Sequence, residues 1–196
     1  MVIGITGGIG AGKSQVLTFM EEEFGAVCYQ LDEIAHQLME PGHSCYEQLV
    51  DLFGEDSMLL PDKRINREFL SAAVFTNPRL MEKVNNIVHP MVKEYILGEI
   101  SCIHLEDPSK IIVIEAALLI EDHYDKICDE IWYIYTEEAV RRERLMEGRG
   151  YSKEKVDSIM KTQLSDQEFR KNCQKVIDNN GCLSKTREEL KKALVF

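Results

Sequence analysis

An α/β fold, in which a parallel sheet is wrapped by helices, is what this sequence predicts. Short apolar runs recur between stretches of helical periodicity. Four of the five runs are continuously apolar rather than alternating, as strands covered on both faces must be. A glycine-rich loop joins the first run to the first helical stretch. The chain has 196 residues, of which 44% are hydrophobic and 29% charged, enough for a sizeable core.

The runs are Val2–Ile5, Ala26–Leu31, Ile111–Ile114, Ile131–Tyr135 and Lys175–Ile177. The first leads into Gly7-Gly8-Ile9-Gly10-Ala11-Gly12-Lys13-Ser14, which fits G-x-x-x-x-G-K-[ST]. Gln15 to Glu23 follows as a helix with Val16, Phe19 and Met20 on one face. Strand, glycine loop and helix in that order make an anion cradle. Glycines let successive backbone N–H groups curl around phosphate oxygens, and the helix N-terminus adds unpaired donors and partial positive charge. The main-chain groups of Gly8, Ile9, Gly10, Ala11, Gly12, Lys13 and Ser14 are the candidate donors. Lys13 is placed to reach the β- and γ-phosphates of a nucleotide, and the Ser14 hydroxyl to ligate Mg²⁺.

About eighty residues separate the second and third runs, far more than one crossover helix requires. Helical patterns fall at Ser44–Phe53, Asn66–Phe75 and Pro78–Leu105, with a turn-like stretch Gly54–Arg64 between the first two. In the last, Val84, Ile87, Val88, Met91, Val92, Tyr95 and Ile96 form one apolar stripe. Pro90 interrupts it, so a kink or a fresh helix start is expected near His89-Pro90. A second insertion, Gly148–Lys171, is basic and helical, with Gly148 and Gly150 at its entrance, and has the makings of a mobile lid. The expected organisation is therefore a nucleotide-binding core at 1–39, 107–147 and 172–196. A helical substrate-binding insertion at 40–106 and a lid at 148–171 interrupt it.

Asp32 ends the second run, near the carboxyl edge of the sheet where the glycine loop also opens. It suits either a general base for a substrate hydroxyl or an N-cap for the helix beginning near Glu33-Ile34-Ala35. Ile111-Ile112-Val113-Ile114-Glu115 is an apolar strand ending in an acid, like a Walker B element, whose carboxylate would hold Mg²⁺ directly or through water. Arg141, Arg142, Arg144 and Arg149 crowd the helix after the fourth run. Glu137–Arg141 and Glu138–Arg142 fit i,i+4 surface pairs. Arg144 has no acid four residues away, and Arg149 lies in the glycine-flanked segment, which favours those two as phosphate contacts.

The net charge of −11 argues against nonspecific nucleic-acid binding. From Arg141 to Lys175 there are nevertheless ten Lys/Arg against six Asp/Glu, which suggests a local anion clamp. No apolar run is long enough to span a bilayer, and no signal peptide precedes the loop, so a cytoplasmic protein is expected. Cys28, Cys45, Cys102, Cys128, Cys173 and Cys182 show no C-x-x-C pairing, so free structural thiols rather than zinc ligands are expected. The histidines form no ligand spacing, and His89 reads as a packed or capping residue.

Taken together these residues resemble the dephospho-CoA kinase family, related to the nucleoside monophosphate kinases. The resemblance is carried by Thr6 to Ser14, Asp32 with Ile34-Ala35, Glu40-Pro41-Gly42, Phe53-Gly54, Asn66-Arg67 with Leu70, Val74-Phe75 and Val88-His89-Pro90. It continues through Leu118-Leu119 with Glu121, Arg144-Leu145-Met146 with Arg149, Gln163, and Ile177-Asp178-Asn179-Asn180-Gly181. It implies transfer of the ATP γ-phosphate to the ribose 3′-hydroxyl of 3′-dephospho-CoA. In that scheme Asp32 is the base, with Lys13 and Arg144 catalytic. Arg144, Arg149 and Asn179 contact ATP, Arg67, His89 and Leu118 contact the acceptor, and Mg²⁺ lies on Ser14 and, through water, Glu115. A monomer is expected, with no nucleic-acid or membrane partner.

Three features depart from the family pattern. Gln30-Leu31-Asp32 stands where D-A-D is common, and Ala117-Leu118-Leu119 where P-L-L is common. The helix leading to Arg144 is one residue longer than usual. Loss of the first acid concentrates the base role on Asp32. The residues alone leave open a kinase of another small acceptor, such as a nucleoside monophosphate or shikimate. They also leave open a regulatory nucleotide switch, although the N-K-x-D base-reading motif is absent.

Overall fold

The computed structural model describes residues 1–54 and 58–194. Five strands form one sheet: β1 (Val2–Thr6), β2 (Val27–Gln30), β3 (Ile112–Glu115), β4 (Glu130–Tyr135) and β5 (Lys175–Asp178). Their order is β2-β3-β1-β4-β5. The pairings of β1 with β3, β1 with β4 and β4 with β5 are parallel, with Ile3 opposite Val113 and Glu130, and Tyr135 opposite Asp178. The α/β parallel-sheet expectation is met, with each strand within a residue or so of its expected bounds. Central β1 is buried along its whole length, whereas the edge strand β2 is half-buried throughout. Continuous apolarity thus follows from cover on both faces.

The chain divides into two units, one of residues 1–29 with 106–196 and one of residues 30–105. The first holds the sheet core. Ile3, Ile5, Val113, Trp132, Ile134 and Ile177 pack with Val16, Phe19 and Met20 of α1 (Lys13–Phe24) and with Leu190 of the C-terminal helix. Trp132 is fully buried and its indole N–H is satisfied by Glu130 Oε2 at 2.7 Å, so its apolar area is buried without an orphaned donor. Burial of each such large side chain contributes about 1.5–3 kcal/mol. Gly25, at φ 61°, closes α1 in the left-handed conformation that a non-glycine residue resists.

The second unit is helical: α2 (Leu31–Leu38), α3 (Ser44–Phe53), α4 (Arg67–Thr76) and most of α5 (Pro78–Glu106). The helix expected at Ser44–Phe53 has those bounds, and Asn66 caps α4 by accepting from Phe69 N–H at 3.0 Å. Residues 55–57 of the turn-like stretch Gly54–Arg64 lie outside the described residues. Its remainder carries an antiparallel bridge from Leu59 to Ile65.

Two local expectations are corrected. No fresh helix starts at His89-Pro90, because α5 runs continuously through Pro90. The residues buried along α5 are Val84, Val88, Val92 and Ile96, while Pro90 is exposed. The lost donor therefore falls on the outer side, where water can satisfy the freed carbonyl, and the buried stripe on both sides holds the helix together. Nor is Asp32 an N-cap. The chain passes directly from β2 into α2, Gln30 takes the cap position without a side-chain cap bond, and Asp32 lies exposed in the first turn.

After β4 come α6 (Glu138–Arg149), α7 (Lys153–Lys161) and α8 (Asp166–Asn172), then β5 and α9 (Leu183–Ala193). Gly148 lies inside α6, and the bend out of that helix is made by Gly150 alone, at φ 64°. Ser152 caps α7, and Ser165 and Glu168 form a reciprocal capping box on α8.

Candidate active site

The glycine loop joins β1 to α1 as the sequence requires, and its glycines have distinct reasons to be glycine. Gly7, Gly10 and Gly12 have φ of 148°, 79° and 90°. A Cβ on Gly12 would also come within 2.2 Å of Asn179 Nδ2. That close approach is the key to the loop's shape. Asn179, 3% exposed just beyond β5, donates from Nδ2 to Ala11 O at 2.7 Å and accepts from Thr186 Oγ1 at 2.7 Å. Its own carbonyl accepts from Arg144 Nη2 at 2.9 Å and Thr136 Oγ1 at 3.2 Å. Thr136 Oγ1 is also 3.0 Å from Ala11 O. The outer carbonyl of the loop is thereby pinned, and within the loop Ala11 N–H donates to Gly8 O at 3.1 Å.

Replacing Asn179 by alanine strips Ala11 O of its shortest bond and leaves Thr186 Oγ1, itself fully buried, without its acceptor. We expect a loss of about 2–4 kcal/mol in stability, read as a lower denaturation midpoint, together with weaker binding of ADP. An unchanged midpoint would remove Asn179 from this role.

Lys13 Nζ donates to Gly7 O at 3.0 Å and lies 3.3 Å from Glu115 Oε1, with both side chains largely buried. Glu115 ends β3, the strand next to β1 from which the loop springs. Ser14 is exposed in the first turn of α1. Among the described residues no three His, Cys, Asp or Glu side chains gather into a metal cluster. One hydroxyl and one carboxylate beside a phosphate loop do fit Mg²⁺, which keeps most of its waters and takes further oxygens from nucleotide phosphates.

The arginines sort differently from their spacing. Arg142 is a structural pair-former, bonded to Glu138 at 2.7 Å and to Asp157. Arg144 reaches the loop through Asn179 as described. Arg149 ends α6 with its side chain exposed and in no hydrogen bond or ion pair among the described residues. Arg141 does not form the surface pair with Glu137 that the spacing suggests, because Glu137 is the cap residue rather than a member of the helix. It lies instead against Gly8. Gln163 also reaches the loop, accepting from Ile9 N–H at 3.0 Å. Neither was singled out as a site residue from sequence periodicity, since only knowledge of where α6 begins separates Arg141 from a solvated face.

Leu118 is half exposed on the turn after β3, and its neighbour Leu119 is buried. In the helical unit Arg67 pairs with Glu40 at 2.9 Å and lines a cleft of about 480 Å³ with Glu40, Leu60, Arg64, Ile65 and Asn66. His89 is half-buried on α5 and is not among the residues lining that cleft. The cysteines are all free thiols; burial pushes Cys28, Cys128 and Cys173 up to about 12. The exposed Cys182, hydrogen-bonded to Ser184, is held below the usual thiol range. No helix among the described residues is long and apolar enough to cross a membrane.

The chain is similar to known proteins along nearly its whole length. The dephospho-CoA kinase family model matches residues 1–185. A dephospho-CoA kinase of Carboxydothermus hydrogenoformans is 34% identical over 96% of this chain and 90% of its own. A solved structure from Thermus thermophilus superposes with a TM-score of 0.85 at 27% identity, covering 100% of this chain and 96% of that one. A dephospho-CoA kinase from Campylobacter jejuni has the same fold, with a TM-score of 0.71 at 23% identity over 98% of this chain and 94% of its own.

Proposed function

The chain belongs to the dephospho-CoA kinase family, and we propose from that premise that it transfers the γ-phosphoryl group of ATP to the 3′-hydroxyl of 3′-dephospho-CoA. The single observation that carries the phosphoryl-transfer half is the loop pinned from outside by Asn179 and Thr136, with Lys13 folded onto it. The acceptor rests on family membership.

Main-chain donors of residues 8–14 and Lys13 hold the ATP phosphates, and Arg144 and Arg149 offset their charge. Mg²⁺, held by Ser14 and by Glu115 through water, neutralises charge on the phosphate oxygens when bound. Asp32 accepts the proton of the attacking hydroxyl, which makes the oxygen a better nucleophile as the phosphoryl group departs. Arg67, His89 and Leu118 contact the acceptor, and the basic helices after Gly150 close over the nucleotide to exclude water, which otherwise competes as acceptor.

The test is ADP release with and without 3′-dephospho-CoA, repeated with nucleoside monophosphates and with shikimate. Release is expected to depend on 3′-dephospho-CoA and to stop when EDTA removes the divalent cation. Indifference to 3′-dephospho-CoA, or equal rates with the other acceptors, would overturn the assignment.

A further inference from the structure

The segment after Gly150 reaches back to the phosphate loop through one side chain. Gln163, between α7 and α8, presents its Oε1 to Ile9 N–H at 3.0 Å and to Arg141 Nη1 at 3.5 Å. Arg141 in turn lies over the first turn of the loop, where a Cβ built on Gly8 would meet Nη1 at 1.9 Å and Cζ at 2.9 Å. Its Nε is buried without an acceptor among the described residues. Both side chains line a cleft of about 460 Å³ with Tyr133, Tyr135, Thr136 and Phe169, so there is room for either to move.

An oxygen held between a loop N–H and a guanidinium has the surroundings of a phosphoryl oxygen in an anion site. The amide oxygen that occupies this place is neutral, whereas an anionic phosphoryl oxygen makes the Ile9 N–H bond charge-assisted and turns the Arg141 contact into an ion pair. A phosphoryl oxygen would therefore displace it, and would also supply an acceptor to the orphaned Nε. The donors deeper in the loop take the inner phosphates and Lys13 bridges the β- and γ-phosphates, which leaves Gly8 and Ile9 to face the terminal one from the other side.

We propose that Arg141 is a further catalytic residue of this enzyme: it contacts the terminal phosphoryl group of ATP beside Gly8 and Ile9, at a position that Gln163 Oε1 holds until nucleotide binds. Charge spreads over the equatorial oxygens of that group during transfer, so a guanidinium there stabilises the transition state more than the ground state. Displacement of Gln163 also makes the segment after Gly150 responsive to the presence of a terminal phosphate.

The inference rests on the kinase reading, and its test separates the two. Binding of ADP and of the non-hydrolysable β,γ-imido analogue of ATP is measured by calorimetry beside kcat and KM. In Arg141→Gln, kcat is expected to fall about a hundredfold. ADP affinity should change less than about threefold and affinity for the imido analogue should fall about tenfold, with Arg141→Lys recovering part of both losses. Gly8→Ala, at a position without left-handed φ, drives the flexible guanidinium away and should reproduce the kcat loss with ADP affinity retained. Gln163→Ala removes the competing oxygen and should bind the imido analogue about threefold more tightly.

Near-normal kcat in Arg141→Gln, equal loss of ADP and imido-analogue affinity, or weaker analogue binding by Gln163→Ala would each overturn the proposal. If the wild type fails to phosphorylate 3′-dephospho-CoA while Arg141→Gln selectively loses the imido analogue, the acceptor assignment falls and the role of Arg141 in terminal-phosphate binding stands.

Discussion

Replacing Lys13 by methionine should lower kcat/KM for ATP by about a thousandfold or more while leaving the fold intact. The ammonium is the one cation whose stem rises from the loop itself, and in the free protein it is held by Gly7 O at 3.0 Å and Glu115 Oε1 at 3.3 Å. Those contacts keep it desolvated and near where the phosphates go, so little reorganisation remains when ATP binds. Methionine fills a similar volume but cannot follow charge onto the γ-phosphoryl group. The substitution also leaves the Glu115 carboxylate without this cation in a largely buried place, a cost of about 1–3 kcal/mol. The double variant Lys13→Met, Glu115→Gln separates the two effects: it should regain most of the lost denaturation midpoint and none of the activity. Recovery of turnover in the double variant would mean that Lys13 serves only to neutralise Glu115.

Much of this site was legible because its parts are local. Residues 7–14 are contiguous, and strand, loop and helix each carry their own signal in composition and period. Four of the five strands read cleanly because they are apolar without alternation, as cover on both faces requires. What escaped is long-range. The bond from Asn179 to Ala11 spans 168 residues, and that from Gln163 to Ile9 spans 154. No local pattern encodes either, and Asn179 entered only through the likeness of Ile177 to Gly181 to a known family. The errors share a cause in element boundaries. A β2 running to Leu31 would make Asp32 a cap, and a helix that included Glu137 would make Arg141 half of a surface pair; β2 ends at Gln30 and α6 begins at Glu138. A one-residue shift of a helix start converts a first-turn residue into a cap, and a surface arginine into one that faces the loop.

With its capping role removed, Asp32 provides the sharpest test of the transfer chemistry. Asp32→Asn should reduce kcat by about a hundredfold to ten-thousandfold, the range expected for loss of a general base, with ATP affinity nearly unchanged. The residues assigned to ATP lie at 8–14, 115, 141, 144, 149 and 179, none of them within α2. Among the described residues, the structural contribution left to Asp32 is a favourable charge in the first turn of α2, worth about 0.3–1 kcal/mol at an exposed position. A large kinetic loss with a small change in denaturation midpoint therefore isolates the chemical role. Gln30 cannot substitute as a base, since its amide accepts no proton near neutral pH, so no second carboxylate compensates within this strand end. Near-normal turnover would remove Asp32 from the mechanism and leave the hydroxyl to be activated by position and charge alone.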